Sequence, residues 1–246
     1  MVISRTPYRI SFFGGLSDHL KWFKDHPGAV LSATINRYCY ITARRLLPFH
    51  PHKTRAVWSE IENVSSNSEI RHPAIRGCLS YLNIDEGLEI HHDGDLPGRS
   101  GMGSSASFTV GLLHALHGIK SEMVSKRALA LEAIEVDHDI VKENVGIQDH
   151  IAVSFGGLNR LDFQGARSSF SVTPIMIKKD WLNLFLRCIM LFYTGLDRRS
   201  SEVVAPQVAK FEEAEETLRR MVEMVDEAQS LLTMGRLKEF GLLLHE

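Results

Sequence analysis

Three short regions of the chain hold side chains suited to handling a phosphorylated compound. The first, Asp95 to Gly118 (DLPGRSGMGSSASFTVGLLHALHG), passes from glycine, proline and serine to an almost unbroken apolar run. Gly98, Gly101 and Gly103 leave backbone N–H groups bare of side chains. A helix starting near Ser105 adds unpaired N–H donors and the positive end of its dipole. Together these make a cradle for an anion, most simply the phosphates of a nucleotide. Ser104 and Ser105 suit helix capping, and a hydroxyl there can also reach a Mg2+ carried by the phosphates.

The second region runs from Glu132 to Asp149. Glu132, Glu135, Asp137 and Asp139 crowd one helical segment, and Asp149 follows Asn144-Val145-Gly146-Ile147-Gln148. Mg2+ takes carboxylate, hydroxyl and water oxygens, so one helix carboxylate with Ser105 can hold it. Glu135 and Asp137 stand two apart and do not share a helix face, so at most one of them is a ligand. Asp149 suits a base that orients and deprotonates an acceptor hydroxyl. In the third region, Thr6 to Asp18, Arg9 can carry charge toward a phosphate and Asp18 can accept two sugar hydroxyls.

Each pattern has a plainer explanation when taken singly. A glycine-rich turn can precede a buried helix without any ligand. Helix carboxylates are commonly solvated, and Asp18 can cap a turn. The loop lacks the Gly-Lys-Ser/Thr of a Walker motif. His50 with His52, His91 with His92, and His114 with His117 lack metal partners nearby and read as ordinary histidines.

The elements that must position these residues are strands and helices in the α+β manner. Arg5 to Phe13, Tyr38 to Thr42, Leu88 to His91 and Leu158 to Phe163 read as strands. Helices are expected over Ser105 to Leu116 and from Ser121, as N-cap, to about Lys142. After Gly165 two further strands, Ser169 to Ile177 and Leu184 to Tyr193, precede a long helical region from roughly Val203 to Leu232. A boundary near Gly165 divides the chain into 1–165 and 166–246.

The 246 residues carry a formal charge of -2, with 44% hydrophobic and 24% charged side chains. That balance offers no electrostatic reason to bind nucleic acid or an anionic membrane. Three scattered cysteines fit a reducing compartment, and the N-terminus lacks the layout of a signal peptide. A cytoplasmic protein of undetermined oligomeric state is expected.

The three regions also carry a resemblance. Pro97-Gly98-Arg99-Ser100-Gly101-Met102-Gly103-Ser104-Ser105-Ala106 resembles the P-x-G-x-G-L-G-S-S-A nucleotide loop of the GHMP kinases, the superfamily of galactokinase, homoserine kinase and mevalonate kinase. Met102 stands for the usual leucine, and Arg99 for a glycine. Gly146-Ile147-Gln148-Asp149-His150, with Gly156-Gly157 beyond, resembles the family's G-x-x-D-Q … GG segment, His150 replacing the glutamine. Gly14 to Arg44 and the Tyr193 to Glu202 stretch look like one branch, the kinases related to D-glycero-D-manno-heptose 7-phosphate kinase.

The resemblance implies ATP and Mg2+ as cofactors and a sugar or sugar phosphate as small-molecule partner. It implies Asp149 as base with Arg9 beside the reacting hydroxyl, and Gly15, Ser17, Asp18 and Gly146 around the sugar. Arg198, Arg199 and Ser200 would face the substrate's existing phosphate. Galactokinase-like spacing points to Asp137 as metal ligand, with Glu135 the rival. A ribosomal-S5-like N-terminal domain, a ferredoxin-like C-terminal domain and an active site between them are implied as well. The family's third glycine-rich motif has no counterpart before Glu246, so an incomplete C-terminal domain is expected.

Overall fold

The computed structural model describes residues 1–98, 100–192, 195 and 200–246. In chain order the elements are β1 (Val2–Phe13), α1 (Leu20–Phe23), β2 (Gly28–Arg45), β3 (Thr54–Val57), β4 (Ile61–Val64), α2 (Pro73–Tyr81), β5 (Leu88–Gly94), α3 (Ser104–Lys120) and α4 (Lys126–Glu135). A π-helical turn, Val136–Ile140, extends α4. Then come α5 (Gln148–Phe155), β6 (Leu158–Phe163), β7 (Phe170–Pro174), α6 (Lys179–Cys188), α7 (Ser200–Ala209), α8 (Glu215–Thr233) and α9 (Leu237–Leu243). Mixed sheet with helices makes this an α+β chain. No helix among the described residues is long and apolar enough to cross a membrane.

The chain folds into two compact units, with β1 divided between them after Tyr8 and β2 after Thr34. The first comprises Met1–Tyr8, Ile35–Asn144 and Asp149–Phe155. Within it the second half of β2 pairs antiparallel with β5, from Cys39↔Gly94 to Arg45↔Leu88. β5 runs parallel to β3, which pairs with β4. Helix α3 is apolar nearly all round and buries Phe108, Leu112, Leu113, Leu116 and Ile119 in a core with Ile41, Ile75, Leu79 and Ile90. A helix buried on most faces cannot shift without opening that core, so its first turn is held rigidly.

One neighbour of α3 is also a pH-sensitive support. His72 caps α2, its Nδ1 accepting from the Ile75 N–H at 3.4 Å. Its ring stacks on Phe108 at 4.7 Å and meets Trp58 edge-on at 4.9 Å. Burial, then the charge of His92, holds the imidazole down at about 4, from an ordinary 6.5, against the opposing pull of Glu62 and Asp137; Arg76 adds to the lowering. The unfolded chain therefore takes up this proton first. His72's contribution is complete above pH 6.5 and drains away as pH falls toward about 4. Denaturant titrations across this window should show a loss of about 1–3 kcal/mol. In His72→Asn, which retains a capping acceptor, the curve should flatten; an unchanged slope would remove His72 as its cause.

The second unit comprises Arg9–Thr34, Val145–Gln148 and Gly156–Glu246. Here the first half of β2 pairs with β6, from Gly28↔Phe163 to Ala33↔Leu158, and β6 pairs with β7. Phe13, Leu31, Phe185, Val225, Leu232 and Phe240 form its core.

Two expectations need correction. Leu184 to Cys188 is helical, not strand: Leu182, Phe185 and Ile189, three and four residues apart, line the face toward this core, while Leu184 and Leu186 are exposed. Ser121 closes α3 in a left-handed conformation, φ 62°, and Ser125 caps α4 by accepting from the Ala128 N–H. The helical region expected from roughly Val203 to Leu232 is present as two helices, α7 and α8, with residues 210–214 between them.

Candidate functional site

The glycine-rich loop expected to hold a nucleotide joins β5 to α3 inside the first unit. Pro97, Gly98 and Gly101 are exposed and Ser100 half-buried, while Arg99 lies outside the described residues. Gly101 has φ 75°. Gly103 is the N-cap of α3 at φ 72°, ψ 29°, and no side chain caps the helix there. Met102 leans on the core, Ala106 is buried, and the Ser107 hydroxyl lies 2.9 Å from the Gly103 carbonyl and 3.0 Å from that of Pro7. The helix N-terminus is thus anchored from below. Ser104 is half-buried and Ser105 exposed.

The left-handed cap requires a residue free of Cβ strain. Gly103→Val should lose about 1–3 kcal/mol of stability and weaken nucleotide binding more than tenfold, seen by denaturation and calorimetry. Gly103→Asn, which visits the left-handed region at low cost, should retain most of both. Equal loss in the two variants would point away from backbone conformation.

Among the acidic candidates, Glu135 is exposed and accepts from the Tyr81 hydroxyl at 3.0 Å. Burial, then this carboxylate acceptor, pushes the phenol up to about 12. Asp137 is 2% exposed. Its Oδ1 accepts from the Thr109 hydroxyl at 2.9 Å, and its Oδ2 lies 2.8 Å from His150 Nε2. Burial alone would push the His150 imidazole down, but the hydrogen bond and charge of Asp137 hold it above its ordinary value. His150 Nδ1 is buried with no partner among the described residues.

A Mg2+ requires open oxygens and keeps several waters. Asp137 offers neither, since both oxygens are engaged and sealed from solvent. Among the described residues no group of three His, Cys, Asp or Glu side chains forms a metal site. The carboxylate arrangement does not fit a bound Mg2+. Asp149 sits half-buried in the first turn of α5.

In the second unit, Asp18 is 3% exposed and held by a residue that motif reading passed over. The Gln148 backbone N–H donates to Asp18 Oδ2 at 3.1 Å, and its side-chain amide donates to Oδ1 at 3.0 Å. The Ile147 N–H donates to the Asp18 carbonyl at 3.1 Å. Gly146 lies so close that a Cβ there would overlap the Asp18 carboxylate. The Ser17 hydroxyl is buried among the Gly14 and Ala29 backbones, at 2.7 and 2.9 Å from their carbonyls, and fixes the turn before Asp18. Gly15 and Gln148 line a cavity of about 810 Å³ with Ser11, Thr217, Arg220 and Met224. Arg9 is half-buried on β1. Ser200 begins α7, while Arg198 and Arg199 lie outside the described residues.

Residues 70–157, from α2 through α5, match the family described as GHMP kinases N terminal domain. That stretch is similar to the N-terminal domain of the GHMP kinases. Around that domain the similarity extends further. Over 220 residues, 81% of this chain, it is 24% identical to D-glycero-alpha-D-manno-heptose 7-phosphate kinase of Campylobacter jejuni, covering 61% of that protein. Galactokinase of Pyrococcus furiosus is 28% identical over 87% of the chain and 58% of its own length. The chain therefore spans about three fifths of these relatives. A solved D-glycero-D-manno-heptose 1-phosphate kinase from Bacteroides thetaiotaomicron shares the GHMP kinase fold with a TM-score of 0.83 at 21% identity, over 99% of this chain and 76% of the other.

Proposed function

We propose that this chain is the catalytic part of an ATP-dependent sugar kinase, with the anomeric hydroxyl of a heptose 7-phosphate as its acceptor. The observation that carries the reading is a juxtaposition along the chain. Gln148, which holds Asp18 by two hydrogen bonds, is followed directly by Asp149, in the unit that also holds the glycine loop and the N-terminus of α3. The division near residue 165 into an S5-like and a ferredoxin-like portion belongs to the same reading.

In the proposed reaction the acceptor oxygen attacks the γ-phosphorus of ATP. The new O–P bond forms as the bond to the β–γ bridging oxygen breaks, ADP leaves, and the acceptor's proton passes to Asp149. The loop amides hold the phosphates, and the fixed Asp18 carboxylate orients the sugar, so positioning and charge stabilisation supply most of the acceleration. Arg9 balances charge beside the reacting oxygen. Arg198, Arg199 and Ser200 are assigned to the acceptor's own phosphate, for which guanidinium pairs are suited. Neither nucleic acid nor a membrane has a part in this reading.

A panel of sugars and sugar phosphates with ATP and Mg2+, read by the mass gain of one phosphoryl group, tests it. Transfer to a heptose 7-phosphate above the other acceptors is expected. Transfer to galactose, fucose or a uronic acid instead would retain the kinase and replace the acceptor. Nucleotide and sugar binding with no turnover on any acceptor would make the protein a non-catalytic relative.

A further inference from the structure

We infer that Asp137 is not a metal ligand in this chain but the anchor of His150, and that this bond positions Asp149, the residue preceding that histidine. The inference rests on the kinase reading for the role of Asp149, but its geometry stands on contacts within the first unit alone. The acidic helix does not continue regularly through Asp137. Residues 136–140 form a π turn, closed by the Val141 N–H on the Val136 carbonyl at 2.9 Å. That turn carries Asp137 inward while Glu135 and Asp139 remain exposed. π turns interrupt a helix's facing and recur at functional sites.

Once inside, the carboxylate meets donors from two other helices. Thr109 comes from α3, one turn after Ser105, and His150 comes from the first turn of α5. Each oxygen has one donor at 2.8–2.9 Å. Asp137 and His150 are 2% and 1% exposed. A divalent ion on Asp137 would have to displace the imidazole and leave it buried without its hydrogen-bond partner, at a cost comparable to breaking any buried charged hydrogen bond. Ser105, the other candidate ligand, is exposed. The imidazole therefore takes the place at the carboxylate that a cation would need. The three-helix junction ties the loop's helix to the helix that begins with Gln148 and Asp149.

Three measurements test this. With the intact chain labelled in its imidazole nitrogens, the hydrogen-bonded Nε2 signal of His150 should persist when Mg2+ and a non-hydrolysable ATP analogue are added. Its loss on adding the metal overturns the inference. Mn2+ titration of the same complex by electron paramagnetic resonance should give affinities within about twofold for wild type and Asp137→Asn, whereas a tenfold weakening overturns it. Asp137→Asn and His150→Ala should each lower kcat about 10- to 100-fold with the KM for ATP retained, and the double variant should be no worse than either single one. Additive losses would deny that the two residues act through one bond. Should wild type bind no nucleotide, the kinase reading falls. The pair is then still decided by denaturation, where a double-mutant cycle must show coupling between Asp137 and His150.

Discussion

Asp149→Asn should reduce phosphoryl transfer by about 10²–10⁴-fold, the range for losing a positioned general base. Nucleotide affinity should remain within about twofold, because a change confined to the chemical step does not alter ground-state binding. Asparagine has nearly the size of aspartate and still hydrogen-bonds, but it cannot take a proton. The nucleotide is assigned to backbone amides between Pro97 and Ala106 and to the end of α3, which are set by the φ of Gly103 and the anchoring of Ser107. None of these depends on the charge of residue 149. Single-turnover transfer measured beside calorimetric titration of an ATP analogue separates the two effects. Full transfer by the variant would remove Asp149 as base, and parallel loss of nucleotide affinity would make it a structural residue of the loop.

Why Asp149 could be proposed from sequence, while its surroundings could not, follows from what local patterns record. The loop from Pro97 to Ala106 was legible because its cause is local: glycines, small residues and the apolar run of α3 lie within two dozen positions. β6 was legible for the same reason, bounded by Gly156-Gly157 and alternating in burial. Helix α6 departs from the expected strand because Leu184 to Tyr193 is a nearly continuous apolar run, which a buried strand and a helix share, and only the core it packs on reveals a period of three and four. The partners of the candidate residues are non-local. Gln148 and Asp18 are 130 positions apart, and Thr109 and Asp137 are 28. A motif names the carboxylate but not the donor that fixes it. The π turn is subtler still, since VDHDI carries no composition that separates it from an ordinary helical turn.

The contact between Gly146 and Asp18 leads to the second large effect, Gly146→Ala. A methyl group at position 146 would overlap the Asp18 carboxylate, which is buried and already bonded to Gln148 through both oxygens. Alanine itself is unobjectionable in most loops and usually stabilises them slightly by restricting the unfolded chain. Here the methyl must either push out the carboxylate or move residues 145–148. Either way one or both bonds from Gln148 are lost and a buried charge is left poorly paired. Overpacking and an unsatisfied carboxylate together should cost about 2–4 kcal/mol, read as a shift of the denaturation midpoint. Acceptor KM should rise more than tenfold, because the group assigned to orient the sugar has moved. The cause can be isolated by shortening the obstructed side chain. Asp18→Ser added to Gly146→Ala should recover most of the stability, since the space is restored, yet recover none of the acceptor binding, since the carboxylate is gone. A single variant within about 0.5 kcal/mol of wild type, the range of an ordinary surface change, would mean that Gly146 and Asp18 do not touch as described. The orientation of Asp18 would then need another source than the segment before Asp149.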